Sequence, residues 1–218
     1  NPDAAADVER AGATAEVVPH GVDLSRFRPG PRRAGRPLGL LAVGRLVEKK
    51  GFHVLVEAAA RLGMPFRLRI VGEGPERARL EERVAHHGLG GSVELTGALP
   101  HDELPAVYAS ADVFVAPSVE DASGDRDGLP NVVLEAMASG LPVVGGDVGA
   151  LATALDGTAG LVVPPGDPGA LADSLALLVA RPDLRETIGR AARASVVRRF
   201  DLRRCGEHLV GRLRAAYA

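Results

Sequence analysis

Arg45 and Lys50 are the first residues whose type and spacing suggest chemistry. They sit in Gly44-Arg45-Leu46-Val47-Glu48-Lys49-Lys50-Gly51, between an apolar run and an amphipathic one. Glycines let a backbone approach an anion closely, and two cations neutralise a diphosphate held there. A solvated turn explains the same residues more plainly. The stretch is neither G-x-G-x-x-G nor G-x-x-x-x-G-K-[ST], so a dinucleotide or Walker-type site is not supported. Asp127 and Glu135 form the second pair. Asp127 precedes Gly128-Leu129-Pro130-Asn131, and Glu135 falls inside the helix that starts near Pro130 or Asn131. A diphosphate at that helix start would meet free backbone amides from about Leu129 to Val132. Glu135 could then accept hydrogen bonds from neighbouring ribose hydroxyls, since a carboxylate takes two at once. The plain alternative is an ordinary acid favoured by the helix dipole. Gly72-Glu73-Gly74-Pro75 fits beside a nucleotide base, or serves only as a turn before a helix. Asn131 caps that later helix or lends its backbone to a phosphate, Met137 reads as core, and His20 reads as a structural turn residue.

These residues need a scaffold, and the sequence alternates strands with helices. Leu38-Gly39-Leu40-Leu41-Ala42-Val43 reads as a buried strand after a basic, proline-rich segment at 28–37. A helix over 52–62, a strand over 66–71 and a helix over 75–87 follow. Further strands are expected at 92–95, 113–116, 142–144 and 160–163, with helices near 104–110 and 130–139, to 180, and beyond Pro182. Short, largely apolar strands between longer helices predict an α/β domain with a doubly wound, mostly parallel sheet covered on both faces. In such sheets ligands collect at the carboxyl rim where the strand order reverses. The loops at 44–51, 72–75 and 118–129 all fall at that rim.

Composition narrows the functions. With 26 basic and 28 acidic residues the net charge is −2, so no general attraction to nucleic acid or anionic lipid is expected. The single cysteine, Cys205, forms no internal disulfide and lacks a CxxC partner. Six histidines show no metal-binding spacing. Asp3, Asp7 and Glu9 interrupt any signal-like apolar run, and the apolar stretches are short of a bilayer span. A cytoplasmic protein is the expectation.

Taken together, seven stretches resemble the C-terminal domain of retaining GT-B glycosyltransferases of family 4. They are VVPHGVD (17–23), VGRLVEKKGFHVLVEA (43–58), RIVGEGPERARLE (69–81), VELTGAL (93–99), ADVFVAPS (111–118), DGLPNVVLEAMASGLPVV (127–144) and GTAGLVVPPGDPGALADSL (157–175). The resemblance implies one Rossmann-like half of a two-domain enzyme, the half that binds the nucleotide-sugar donor. It implies that Arg45 and Lys50 hold the donor diphosphate and that Glu135 meets the ribose hydroxyls. Asp127 would meet the transferred sugar, and Gly128, Leu129, Pro130, Asn131 and Val132 would line the sugar and phosphates. Gly44 would flank the diphosphate, while Gly72, Gly74 and Leu99 would border the base. Three positions depart from the family pattern. Asp127 stands in place of the usual Glu, His20 in place of Asn, and Thr153 at a usual acidic position.

The resemblance further implies transfer of a hexose from a UDP, GDP or ADP sugar to a hydroxyl acceptor, with retention. The donor phosphate would help deprotonate the acceptor. No cofactor, metal or nucleic acid is implied. The acceptor would be a sugar, lipid or small molecule. Residues 1–22 are expected to be a remnant of an N-terminal domain, residues 23–199 the nucleotide-sugar-binding domain, and residues 200–218 a helix packing on that missing domain. Peripheral membrane association through the first domain stays open, and the 218 residues alone are expected to bind nucleotide but transfer sugar poorly. Two alternatives remain: a nucleotide-sugar epimerase or hydrolase of the same architecture, and a non-catalytic nucleotide-sugar-binding module. A hydride-transfer enzyme is the weakest, for lack of the glycine fingerprint.

Overall fold

The computed structural model of the protein describes Ala5 and residues 8–31 and 37–217. The expected remnant at 1–22 therefore lies partly outside the described residues, as does the middle of the basic segment at 28–37. Six strands form one parallel sheet: β1 (Leu38–Val43), β2 (Phe66–Val71), β3 (Val93–Gly97), β4 (Val113–Ala116), β5 (Val143–Gly146) and β6 (Gly160–Val163). Their order is β3-β2-β1-β4-β5-β6, so the chain order reverses between β1 and β4. The helices are α1 (Phe52–Ala59), α2 (Arg77–His86), α3 (Leu104–Ser110), α4 (Asn131–Ala138), α5 (Leu151–Leu155), α6 (Pro168–Ala180), α7 (Pro182–Arg199) and α8 (Leu202–Ala216).

Because side chains alternate across a strand, neighbouring apolar residues feed two different cores. Leu40, Leu68, Ile70, Val113 and Val144 face α1, α2 and α6. Leu41, Phe114 and Val143 face α3, α4 and α7, meeting Tyr108, Leu134, Met137 and Val196. The central strands are buried on both sides, which is why β1 and β4 read as continuous apolar runs. Cover on the second face thins beyond β1. In β2 (Phe-Arg-Leu-Arg-Ile-Val) Phe66 and Leu68 are buried while Arg67 and Arg69 are exposed. The alternation in that strand already carried this asymmetry.

Several elements differ from the sequence expectation. α1 ends at Ala59 rather than 62, and α2 begins at Arg77, past the proline turn. α5 was not foreseen. It is a five-residue helix closed by Asp156, whose φ of 45° is the one positive value among described non-glycine residues. Asp156 accepts hydrogen bonds from Thr158 and Ser195, which holds the turn. Arg193 on α7 donates to the carbonyls of Phe27 and Ala138, clamping the segment before β1 onto the end of α4. Val22 pairs with Asp201 at the junction of α7 and α8. Leu209, Val210 and Leu213 on α8 stay about half exposed, at 45%, 46% and 50%.

Candidate functional site

The reversal between β1 and β4 puts the loops 44–51 and 117–130 side by side at the carboxyl rim. Two close backbone approaches hold them there. Gly51 has φ 65°, and a Cβ on it would fall 1.9 Å from the carbonyl oxygen of Pro117. Gly149, φ 58°, lies against the other flank, where a Cβ would fall 2.1 Å from the Asp127 carbonyl oxygen. Only glycine fits either place. The Val119 amide also donates to the Lys49 carbonyl at 2.9 Å, tying the loops directly.

The contact sets Lys50 opposite Asp127. A 3-10 turn over Glu48–Lys50 swings Lys50 inward, and its stem passes close to Gly44, within van der Waals reach of where a Cβ there would lie. The Lys50 ammonium donates to Asp127 Oδ2 at 2.7 Å, and the Ser118 hydroxyl donates to the same oxygen at 3.0 Å. Both charged side chains are largely buried, 16% and 12% exposed. Beside them Lys49 pairs with the more exposed Asp125 at 2.7 Å. Burial strengthens the attraction within the Lys50 pair, because less water screens it, while desolvation of both charges opposes that gain.

Helix α4 starts at the far side of a narrow crevice that Lys50, Phe52 and Ser118 share with Pro130 and Val132. Pro130 is its N-cap with extended ψ of 135°, and no side chain caps the end. Asn131 is the first helical residue, so the expected capping role for its side chain is not what the structure has. The first-turn amides of Asn131 and Val132 are left without an intrahelical acceptor, as at any helix start.

Glu135 lies one turn further along and is 8% exposed. Its Oε2 accepts the hydroxyl of Tyr108 at 2.8 Å. Burial pushes the Glu135 carboxyl above its ordinary value, opposed by that hydroxyl and then by the charges of His101 and Arg26. Burial beside the glutamate pushes the Tyr108 hydroxyl well up. Arg26 donates to the His101 carbonyl at 3.2 Å, closing this corner.

The remaining expected residues take their places along the rim in sheet order. The loop at 72–75 is laced between its neighbours: Gly72 donates to Gly97, and Leu46 donates to Glu73 at 2.8 Å. Gly74 packs against the Leu46 backbone. Leu99 is half-buried against the core on the Tyr108 side. The structure thus joins Lys50, Asp127 and the α4 start, and puts Glu135 one turn along. Arg45 stands apart from that crevice: it is exposed and does not line it. A hollow of about 790 Å³ lies elsewhere, on the thinly covered sheet face by Arg67, Arg69 and Glu94. No rim loop reaches it.

Sequence reasoning missed two of the site's side chains, Ser118 and Tyr108. Tyr108 had a faint signal, as one of two tyrosines in the chain, set among Ala106, Ala109 and Ala111.

Fold and rim together define a doubly wound α/β domain with a cation and a helix start at its switch point. The glycosyl transferases group 1 profile matches residues 37–181, and the chain belongs to that family. It is similar to the putative colanic acid biosynthesis glycosyltransferase WcaL of Escherichia coli, 46% identical over 128 residues, which are 57% of this chain and 32% of that one. It is also similar to the GDP-mannose-dependent alpha-(1-6)-phosphatidylinositol monomannoside mannosyltransferase of Mycolicibacterium smegmatis. That protein is 36% identical across 94% of this chain and 59% of its own length. Among solved structures, sucrose-phosphate synthase from Thermosynechococcus elongatus has a TM-score of 0.88 at 29% identity, covering 100% of this chain and 57% of that one. The chain spans 32% and 59% of the length of those two curated relatives. Among the described residues no helix is long and apolar enough to cross a membrane.

Proposed function

We propose that the chain is the donor-binding half of a retaining hexosyltransferase that uses a nucleoside-diphosphate sugar. The carrying observation is the Lys50–Asp127 pair at 2.7 Å, set where the strand order reverses and close to the start of α4, which no side chain caps. In this reading the diphosphate lies between the Lys50 ammonium and the amides of Asn131 and Val132. Arg45, exposed in the same loop as Lys50, would have to swing toward the outer phosphate as the donor enters. Glu135 takes the ribose hydroxyls, Asp127 the transferred sugar, and the 72–75 loop with Leu99 the base. The glycosidic bond to the diphosphate breaks, a bond to the acceptor hydroxyl oxygen forms on the same face, and the acceptor proton passes to the leaving phosphate. Charge grows on that phosphate as the bond lengthens, so fixed positive groups stabilise the transition state most. In the whole protein, the exposed apolar residues of α8 would pack on a further domain that supplies the acceptor. The mannosyltransferase relative supports a sugar-nucleotide donor.

Calorimetric titration with UDP, GDP, ADP and pyrophosphate tests the reading. At least one nucleoside diphosphate is expected to bind, and Lys50→Ala is expected to weaken it about tenfold to a hundredfold. Failure of all three to bind at millimolar concentration, or an unchanged affinity in Lys50→Ala, would overturn it.

A further inference from the structure

We propose that Tyr108 is the positioning residue of the ribose site: its hydroxyl fixes Glu135 with one carboxylate oxygen held by the protein and the other offered to the ligand. The proposal rests on the reading of Glu135 given above.

Three observations carry it. The tyrosine ring has no freedom to swing. It is fully buried, packed edge-on against Phe27 at 5.6 Å and tilted on Phe114 at 5.7 Å. Phe27 is itself pinned, because Arg193 donates to its carbonyl at 2.9 Å. The hydroxyl has one proton and two acceptors in reach, Glu135 Oε2 at 2.8 Å and the Val132 carbonyl at 3.3 Å. The nearer, ionisable acceptor takes the proton, since bonds to charged acceptors are shorter and stronger.

The second carboxylate oxygen is free for a ligand. Tyr108 is the one side chain that hydrogen-bonds Glu135 among the described residues. Glu135 is 8% exposed and Tyr108 holds its Oε2, so Oε1 is the oxygen left for a ligand.

The tyrosine also favours the charged form of that carboxylate. Burial works against the charge, while the hydroxyl, then His101 on the β3–α3 loop and Arg26 before β1, work for it. Arg193, on the helix packed against α4, is directed at backbone carbonyls. An ionised carboxylate accepts at both oxygens. Once protonated, it carries a donor on one of them and grips two hydroxyls less well.

The experiment compares the wild type with Tyr108→Phe, Glu135→Ala and Glu135→Gln. Each is titrated with the best-bound of UDP, GDP and ADP, its 2′,3′-dideoxy counterpart, and pyrophosphate, at about pH 6 and about pH 9. The wild type is expected to prefer the ribose form about tenfold or more. Tyr108→Phe should lose most of that preference, and lose more of it at the acid end than at the alkaline end, because it removes a hydrogen bond that favours the charged carboxylate. Pyrophosphate affinity should stay within about twofold, which also reports an intact fold. Glu135→Gln, which keeps the tyrosine contact without the charge, should lack the preference at either pH.

A preference retained by Tyr108→Phe at acid pH overturns the proposal. So does a loss of equal size at the two pH values, which would make the tyrosine a packing residue only. If Tyr108→Phe fails to fold, the decision passes to Glu135→Gln, and a full preference there overturns the proposal. Glu135→Ala separates the two layers. If it keeps the preference, the reading of Glu135 is wrong; if it alone loses it, the reading stands and the tyrosine proposal fails.

Discussion

Asp127 and Glu135 stand at opposite ends of the same loop-and-helix segment, and their charges are handled differently. Asp127 sits at the rim with a cation and a hydroxyl on one oxygen, 2.7 Å from Lys50 and 3.0 Å from Ser118. Glu135 is buried with a neutral partner, the Tyr108 hydroxyl at 2.8 Å, and no salt bridge among the described residues. The first arrangement is an exchange. In the proposed reading, a diphosphate reaching Lys50 must take it from Asp127, so its affinity is the difference between two ionic contacts. The second is a mould. Glu135 is held by rigid aromatic packing and needs no partner removed before it can accept hydroxyls. Diphosphate binding should therefore respond to charge and salt, and ribose recognition to the geometry and ionisation of one glutamate.

The largest effect expected comes from breaking the rim side alone. Gly149→Ala would drive a Cβ to 2.1 Å from the Asp127 carbonyl oxygen, at a backbone angle that alanine resists. A loss of about 2–4 kcal/mol is expected, read as a fall in Tm of roughly 5–10 °C. Pyrophosphate binding should weaken as the Asp127 loop shifts, while the preference for ribose over dideoxyribose survives. Simultaneous loss of both would show that the two corners are one unit.

A smaller effect is expected from Asp127→Asn, which leaves Lys50 without its anionic partner. Affinity for a sugar-free nucleoside diphosphate should rise about threefold to tenfold at low salt, and the gain should shrink as salt screens the site. An unchanged or lower affinity, measured by calorimetry at two ionic strengths, would mean that Lys50 and Asp127 are not in exchange.

The comparison also shows why part of this site was legible in the sequence. Strands β1 and β4 announce themselves as apolar runs closed by Gly44 and Pro117, and the rim loops follow from the alternation. Glu135 could be placed because Pro130 and Asn131 mark a helix start just before it. Contacts across long separations left no such mark. Lys50 meets Asp127 over 77 residues, and Tyr108 meets Glu135 over 27. Periodicity reports which face of an element is apolar, and carries nothing about which two elements share a corner. Arg45 and Lys50 looked like one pair because they lie in one loop. The intervening 3-10 turn gives them different surroundings, one exposed and one nearly enclosed. Helix α5 escaped because its five residues, Leu-Ala-Thr-Ala-Leu, are too few to show a period.

The smallest effect concerns stability rather than binding, and it tests the buried side of the comparison. Burial raises the Glu135 carboxyl above its unfolded value, so the native state holds that proton longer than the unfolded chain does. Well below the unfolded value both states are protonated and the group contributes nothing. As pH rises through that value the unfolded chain releases its proton first, and native stability falls until Glu135 has ionised in the fold as well. Glu135→Gln removes that loss while keeping an oxygen for the Tyr108 hydroxyl. Its Tm should match the wild type in acid and exceed it by up to about 2–4 °C near neutral pH. A difference in Tm that did not vary with pH would mean that the glutamate is not strained by burial, and that its surroundings compensate the charge as fully as Lys50 compensates Asp127.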